Sequence, residues 1–165
     1  MGRSLTAVLA CPPTTSGERT RRMLALAAEA ASCDSVTITN LFAEPAKDVP
    51  ELARLAVDPQ GWLSAREDLE AGVLGGHELI AGWGMYGFSG PAARHFREQL
   101  QWLRGTAVKA GHPRAWCVGG QPRHPSRWHQ YVSDRHGRTG PGTTGERLRQ
   151  VLVRASWEGL VPVQR

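Results

Sequence analysis

The stretch Leu5-Thr6-Ala7-Val8-Leu9-Ala10 is an almost wholly apolar run that ends just before Pro12 and Pro13. A short apolar run bounded by such breakers is typical of a strand buried inside a sheet. The Ala- and Leu-rich segment from Thr20 to Ala31 then predicts a helix, and the β-branched residues of Val36–Phe42 predict a second strand. Because strand, helix and strand follow one another, the sequence indicates an α/β fold with a mainly parallel sheet.

The rest of the chain continues this alternation. It predicts strands at 78–84 and 115–118, and helices at 51–56, 64–71, 91–104 and 146–158. Thr15 and Ser64 each precede a glutamate by three residues, at Glu18 and Glu67, which is the spacing of a capping box. We therefore expect one domain over 1–165, with a three-layer α/β/α architecture and a four-stranded sheet. Its core would cover about 5–131, followed by a basic, glycine-rich loop over 134–145 and the last helix.

Charge is distributed unevenly along the chain. Residues 1–90 hold seven Lys or Arg against eleven Asp or Glu, whereas residues 91–165 hold thirteen against four. Eighteen of the twenty cations are arginine, whose planar guanidinium binds phosphate through two parallel hydrogen bonds. This pattern favours a nucleic-acid partner, DNA first. A solvated basic face in an arginine-rich proteome is the alternative.

The cysteines and the first residues bear on compartment. Cys11, Cys33 and Cys117 are an odd number without paired spacing, which indicates reduced thiols in a cytoplasmic protein. The sequence shows no signal-peptide core and no apolar run of about 18 residues, so we expect no membrane segment. Cys117 and the nearby histidines fit no zinc pattern, and we expect neither a metal nor another cofactor. We expect a monomer.

The loops that follow parallel strands meet at one edge of the sheet, where open α/β proteins place their chemistry. Here those loops are 11–17, 40–44, 83–89 and 119–128. The last of them, Gly119-Gly120-Gln121-Pro122-Arg123-His124-Pro125-Ser126-Arg127-Trp128, sets a histidine among glycines, prolines and arginines. A helix is predicted to begin near Ser126, with that hydroxyl as its N-cap.

Four motifs in these loops resemble the uracil-DNA glycosylase superfamily in a divergent form. They are Ala10-Cys11-Pro12-Pro13-Thr14, Ile38-Thr39-Asn40-Leu41-Phe42, Leu79-Ile80-Ala81-Gly82-Trp83-Gly84 and His124-Pro125-Ser126-Arg127-Trp128. The order is also similar to that of an uncharacterised bacterial domain family with NLFA, AWG and G-x-P-x-HP motifs. The resemblance covers about residues 5–131 and implies a monofunctional DNA glycosylase, since neither of the two lysines adjoins a motif.

The resemblance implies roles for residues of these motifs, and Glu18, Tyr86, Arg123 and Arg135, which lie outside the motifs, are added as candidates from their chemistry and position. His124 would stabilise the leaving base, Asn40 would read its edge, and Glu18 would orient water. A second group would line the base pocket: Cys11, Pro12, Thr14, Phe42, Trp83 and Tyr86. A third group would hold DNA, with Arg127 or Trp128 filling the gap left by the flipped base: Arg123, Ser126, Arg127, Trp128 and Arg135.

Each role has a structural alternative. His124 would cap a turn, Asn40 would close a strand end, and Glu18 would complete a capping box. Phe42 and Trp83 would be core residues, and Cys11 a small packing residue. The families usually carry Asp, Asn or Glu near the position of Cys11, so the water-orienting group is not fixed by the pattern.

Three functions are therefore compared. The first is a glycosylase for a modified base, for example a decorated cytosine of phage DNA, which would make the protein a defence factor. The second is a nucleic-acid-binding module that has lost catalysis. The third is an N-glycosidase for free nucleosides or nucleotides, against which the basic second half argues.

Overall fold

The computed structural model describes residues 2–136 and 140–161. In chain order the described elements are β1 Ser4–Leu9, α1 Glu18–Ala30, β2 Ser35–Asn40, α2 Val49–Leu55, α3 Gln60–Ser64, α4 Arg66–Gly75, β3 Glu78–Ala81, α5 Gly90–Lys109, β4 Arg114–Val118, a 3-10 helix Pro125–Arg127, α6 His129–Val132, a second 3-10 helix Asp134–His136, α7 Thr144–Val151, β5 Leu152–Ser156 and α8 Trp157–Leu160.

The strands form one sheet in the order β2-β1-β3-β4-β5. The first four strands in this order run parallel, and β5 pairs antiparallel with β4. The predicted α/β fold with a mainly parallel sheet is confirmed. The expected number of four strands is wrong, because the predicted C-terminal helix over 146–158 is interrupted. The first part of that segment forms α7, and the second part forms β5, the strand at the edge of the sheet.

Helices cover both faces of the sheet, and β1 shows why. Leu5, Ala7 and Leu9 pack with α1 and α7 on one face, whereas Val8 packs with α4 and α5 on the other. Successive side chains of a strand point to opposite faces, so a strand covered on both sides must be apolar throughout.

The two predicted capping boxes do not form. Gly17, with a φ of 65°, precedes α1 and gives no side-chain cap, and Ala65 precedes α4 in the same way. A capping box does form at α7, where Thr143 and Glu146 bond each other's backbone N–H groups. The spacing is present at the first two sites, but the residue at the helix start is Gly17 in one case and Ala65 in the other, and neither has a side chain that can cap.

The amino ends of the strands are joined by the carboxylate of Glu78. It accepts from Arg3 Nη2 at 2.7 Å, from Arg154 Nη2 at 2.7 Å and from Trp116 Nε1 at 3.1 Å. Arg154 also lies over the indole ring of Trp116, 4.7 Å from its centre. One carboxylate thus connects the first residues of the chain with β3, β4 and β5.

Residues 137–139 of the predicted glycine-rich loop lie outside the described residues. Arg147 of α7 contacts the chain before and after these residues. It forms an ion pair with Asp134 and donates to the carbonyl of Val132 on one side, and it donates to the carbonyl of Gly140 on the other. Among the helices in the described ranges, none has both the length and the apolar composition needed to cross a membrane.

Candidate functional site

The order in which the chain adds strands to the sheet reverses at β1. The chain passes from β1 to β2 on one side, and β3 then pairs with the other side of β1. In open α/β sheets the loops that diverge at such a point leave a crevice at the carboxyl ends of the strands. The loops after β1 and β3 flank this crevice, and the histidine loop after β4 lies next to it.

The absence of a side chain at Gly82 lets these loops pack closely. A Cβ atom at Gly82 would lie 3.0 Å from Leu9 and 3.3 Å from Pro125. Beside it, the N–H of Gly84 donates to the carbonyl of Pro122 at 2.6 Å. The end of β3 therefore supports the Pro125 turn directly, and the position of His124 is tied to the crevice.

His124 caps the 3-10 helix with its own ring. Its Nδ1 accepts from the backbone N–H of Ser126 at 3.2 Å and lies 2.8 Å from Ser126 Oγ. A backbone N–H only donates, so Nδ1 is unprotonated and the neutral ring carries its proton on Nε2. Burial, followed by the nearby charge of Arg127, lowers the pKa of His124. The predicted N-cap at Ser126 is thus wrong, since His124 takes that place and keeps an Nε2–H donor.

Tyr86, from the loop after β3, comes close to two other predicted site residues. Burial raises the pKa of Tyr86 to about 12, with a smaller rise from Cys11 and an opposing effect of Arg127. The phenol is therefore a neutral hydrogen-bond donor at physiological pH. Its ring packs against Phe88, with 5.3 Å between the ring centres. Cys11 and Arg127 are therefore near enough to act electrostatically on Tyr86, and Arg127 acts on His124 in the same way.

Cys11 is a weak nucleophile in this setting. Burial raises the pKa of its thiol, the backbone N–H of Ala46 opposes that shift, and the negative charge of Glu51 adds to it. A thiol held in its neutral form does not act as a nucleophile at neutral pH. This observation fits the role of a packing residue and argues against covalent catalysis at Cys11.

Glu51 is a carboxylate near Cys11 that the sequence did not single out. It lies in the first turn of α2, half-buried, and its Oε2 accepts from the N–H of Lys47 at 2.7 Å. No spacing rule links residues 11 and 51, so only the fold could bring this carboxylate to the loop after β1. Glu18, the predicted water-orienting residue, is exposed at the start of α1.

Asn40 is the last residue of β2 and lies in register with Leu9. Its Oδ1 is buried and has no hydrogen-bond partner among the described residues. A buried acceptor is normally hydrogen-bonded, so this oxygen is available to a donor on a ligand. Asn40 and Pro12 line a cavity of about 400 Å³ that continues along α4. The residues that line this cavity belong to β1, β2, the loops after them and the segment around α4, and His124 is not among them.

The backbone beyond Asn40 is held by Gln99 of α5, a residue that the sequence did not indicate. Its buried side chain donates to the carbonyls of Leu41 at 2.9 Å and Trp62 at 2.7 Å, and it accepts from Arg66 at 3.0 Å. A glutamine in an amphipathic helix shows no local signal for such a role. Only the packing of α5 against α3 and α4 shows it.

Three predicted contact residues lie in the core. Phe42 and Trp83 are 1% exposed and Trp128 is 0% exposed. Phe42 packs edge-on against Trp62, Trp83 stacks on Trp157, and Trp128 donates to the carbonyl of Arg123 at 2.9 Å. Side chains without exposed surface have no contact to offer a base or a duplex. Burial therefore favours the core alternative for Phe42, Trp83 and Trp128 over the predicted stacking and wedge roles.

The remaining predicted residues are at least partly accessible. Thr14, Arg127 and Arg135 are exposed, while Pro12, Arg123 and Ser126 are half-buried. The guanidinium of Arg123 lies over the ring of Tyr131, 5.3 Å from its centre. Of the residues predicted to fill a gap in a duplex, Arg127 is thus the one that the structure leaves at the surface.

In the described ranges, no three His, Cys, Asp or Glu side chains gather closely enough to hold a metal ion. Comparisons with protein-family models, with curated proteins and with solved structures give no match for this chain.

Proposed function

We propose that this protein is a monofunctional DNA glycosylase that hydrolyses the N-glycosidic bond of a flipped, modified base. The proposal depends mainly on two groups at the carboxyl edge of the sheet. One is the buried Oδ1 of Asn40, and the other is the Nε2–H of neutral His124. Recognition of a base edge requires an acceptor and a donor of this kind.

The order of the strands supports the proposal. Neighbouring strands lie about 4.8 Å apart, so β2 and β4, which have β1 and β3 between them, run about 14 Å apart. The parallel order β2-β1-β3-β4 supports the resemblance to uracil-DNA glycosylases, which places these two groups after the second and fourth strands.

In the proposed reaction, a water oxygen bonds to C1′ of the sugar as the bond from C1′ to the base nitrogen breaks. The electron pair of that bond leaves with the base, and negative charge grows on the base oxygen. Nε2–H of His124 donates to this oxygen, and the hydrogen bond strengthens as the charge develops. The proton lost by water passes to a carboxylate, for which Glu51 beside Cys11 and Glu18 at the start of α1 are the candidates.

The proposed substrate is a modified pyrimidine larger than uracil. Support comes from the small side chain of Cys11 in the loop after β1 and from the neutral phenol of Tyr86 in the loop after β3. A small residue leaves room for a substituent, and a phenol supplies a donor to it. Excision of decorated bases would give the protein a role in defence against phage DNA.

A second candidate function is DNA binding without catalysis. The exposure of Glu18 favours it, together with Cys11 at a position where the resembling families carry a polar group. This module would use the same fold and the same arginines, and it would release no base.

The test is to incubate the purified protein with end-labelled duplexes that contain uracil, hydroxymethylcytosine, a glucosylated cytosine or normal bases only. Alkaline cleavage then reveals abasic sites. We expect cleavage on a modified duplex and a loss of at least 100-fold in His124→Gln, in line with removal of one charge-stabilising donor.

The matched control is His77→Gln, at the opposite edge of the sheet, which we expect to act like the unaltered protein. Absence of abasic sites on every duplex, with the protein folded, would overturn the glycosylase. DNA binding that His124→Gln leaves unchanged, without base release, would establish the second function instead.

A further inference from the structure

The acidic N-terminal half of the chain contains one concentrated group of cations. Three of its seven Lys and Arg residues, Arg19, Arg21 and Arg22, fall within four positions near the start of α1, and all three are exposed. Because α1 follows β1, these arginines lie near the carboxyl edge of the sheet, where the crevice is. The packing of α1 determines the direction in which each of them faces.

The packing of α1 separates the three arginines into two sides. A Cβ atom at Gly145 of α7 would lie 3.5 Å from Leu26, so the stripe that contains Leu26 faces α7. Arg19 and Arg22 share this stripe, since they precede Leu26 by seven and four residues. Arg21 lies on the other flank, where it lines a cavity beside β2 with Glu29 and Asp34.

The elements beside the Arg19 and Arg22 stripe are basic as well. The 3-10 helix Pro125–Arg127 packs against α1, and α7 packs against both α1 and α6. Arg127 and Arg149 of these elements are exposed. Within residues 2–136 and 140–161, none of Arg19, Arg22, Arg127 and Arg149 takes part in an ion pair. The neighbouring Arg147, in contrast, is neutralised by Asp134.

We propose that Arg19, Arg22, Arg127 and Arg149 form a phosphate-binding track for the DNA strand that flanks the crevice. The choice of DNA rests on the proposed function, whereas the track itself rests on geometry and charge. Unpaired guanidinium groups bind phosphate oxygens bidentately, and the positive end of the α1 dipole adds to the attraction. The two halves of the chain are opposite in net charge, but in the folded protein both contribute arginines to this one basic surface.

The test counts phosphate contacts through the salt dependence of binding. The variant Arg19→Gln/Arg22→Gln is titrated with a fluorescent 20-base-pair DNA duplex between about 50 and 200 mM salt. Each lost contact lowers the slope of log K against log salt by about 0.9. We therefore expect a slope smaller by about 1.8 and, with an unchanged 1 M intercept, roughly 60-fold weaker binding at 0.1 M salt.

The matched control is Arg94→Gln/Arg97→Gln. These two exposed arginines have the same spacing near the start of α5, which covers the other face of the sheet. We expect this pair to leave the slope unchanged. All substitutions are at exposed positions, so unfolding free energies are expected to stay within about 0.5 kcal/mol of the parent value.

An unchanged slope in Arg19→Gln/Arg22→Gln, or an equal loss in the α5 pair, would overturn the track. Tighter binding of an RNA duplex of the same sequence would overturn its assignment to DNA. Binding is measured without base release, so the two proposals fail separately. If the slope changes but no base is released, only the proposed glycosylase activity is contradicted. If base release persists and the slope is unchanged, only the proposed phosphate-binding track is contradicted.

Discussion

Gln99 Nε2 lies 2.9 Å from the carbonyl oxygen of Leu41, the residue that follows Asn40 at the end of β2. The same amide also binds the carbonyl of Trp62, and its oxygen accepts from Arg66. One buried side chain therefore fixes the segment from which Asn40 projects. Its removal leaves two carbonyls and one guanidinium N–H without that partner.

We predict that Gln99→Leu lowers the free energy of unfolding by about 2–5 kcal/mol, since each unsatisfied buried group costs about 1–3 kcal/mol. Urea denaturation followed by tryptophan fluorescence measures the change. Gln101→Leu, at an exposed position of the same helix, is the control and is expected to change stability by less than about 0.5 kcal/mol. Equal effects of the two substitutions would contradict the bracing role of Gln99.

His124 should make the stability of the protein depend on pH. Its pKa is lower in the folded chain than the ordinary value, because the ring is buried and lies near Arg127. The unfolded chain then binds the proton more readily, so stability rises with pH across the window between the two pKa values. We predict that unfolding free energy falls as pH drops through about 6.5 toward the folded pKa. His124→Gln should show a smaller fall over the same range in urea titrations.

The same protonation bears on activity. Below its folded pKa, His124 carries a proton on Nδ1 and can no longer accept from the N–H of Ser126. Base release should therefore decline on the acid side through this lowered pKa. A rate that stays constant through and below that pKa would count against the assigned tautomer, and a stability profile that His124→Gln leaves unchanged would count against the lowered pKa.

Trp128 should behave as a core residue. Its side chain is 0% exposed, and its indole N–H donates to the carbonyl of Arg123. We predict that Trp128→Ala lowers the free energy of unfolding by about 3–5 kcal/mol. Trp128→Phe, which keeps a ring but loses the donor, should cost less and leave the DNA affinity of the folded protein unchanged. A selective loss of affinity in stable Trp128→Phe would restore the wedge role.

Cys11 should react slowly with alkylating agents. Burial raises the pKa of this half-exposed thiol, and only the thiolate is nucleophilic. We predict slower carboxamidomethylation by iodoacetamide at pH 8 than for free cysteine, measured on the Cys11 peptide by mass spectrometry. Cys11→Ser should retain base release. Alkylation as fast as that of free cysteine would reopen the nucleophile hypothesis.

The parallel core was predictable because its signals are local. The β1 run and the helix after it carry their periodicity within a few residues, and the carboxyl edge follows from the strand order. The strand β5 was not predictable in this way. Its pairing with β4 depends on Arg154, Trp116 and Glu78, which lie far apart in sequence. A helical pattern that ends at Val151 gives no warning that the chain then turns into a strand.

For the candidate site residues, the place in the fold could be predicted better than the solvent exposure of the side chain. The sequence predicted His124 and Asn40 at the same edge, and in the structure Asn40 ends β2 while His124 follows β4. It could not predict that Arg127 is exposed while the adjacent Trp128 is buried. Trp128 precedes the buried Val132 by four residues, so both lie on the inner side of the same helical turn. Glu51 and Gln99 gave no signal, because their importance comes from contacts between distant segments.

The arrangement around Glu78 sets practical limits on fragments and fusions of this protein. A chain shortened after Val151 would lose Arg154 as a partner of Glu78 and would leave β4 as an uncovered edge, open to pairing with other molecules. Expression boundaries should therefore include β5 and α8, and tags at the N-terminus should leave Arg3 free to reach the same carboxylate. The loops at the opposite edge carry no part of this connection, so under the proposed function they are the segments to exchange when a different base specificity is sought.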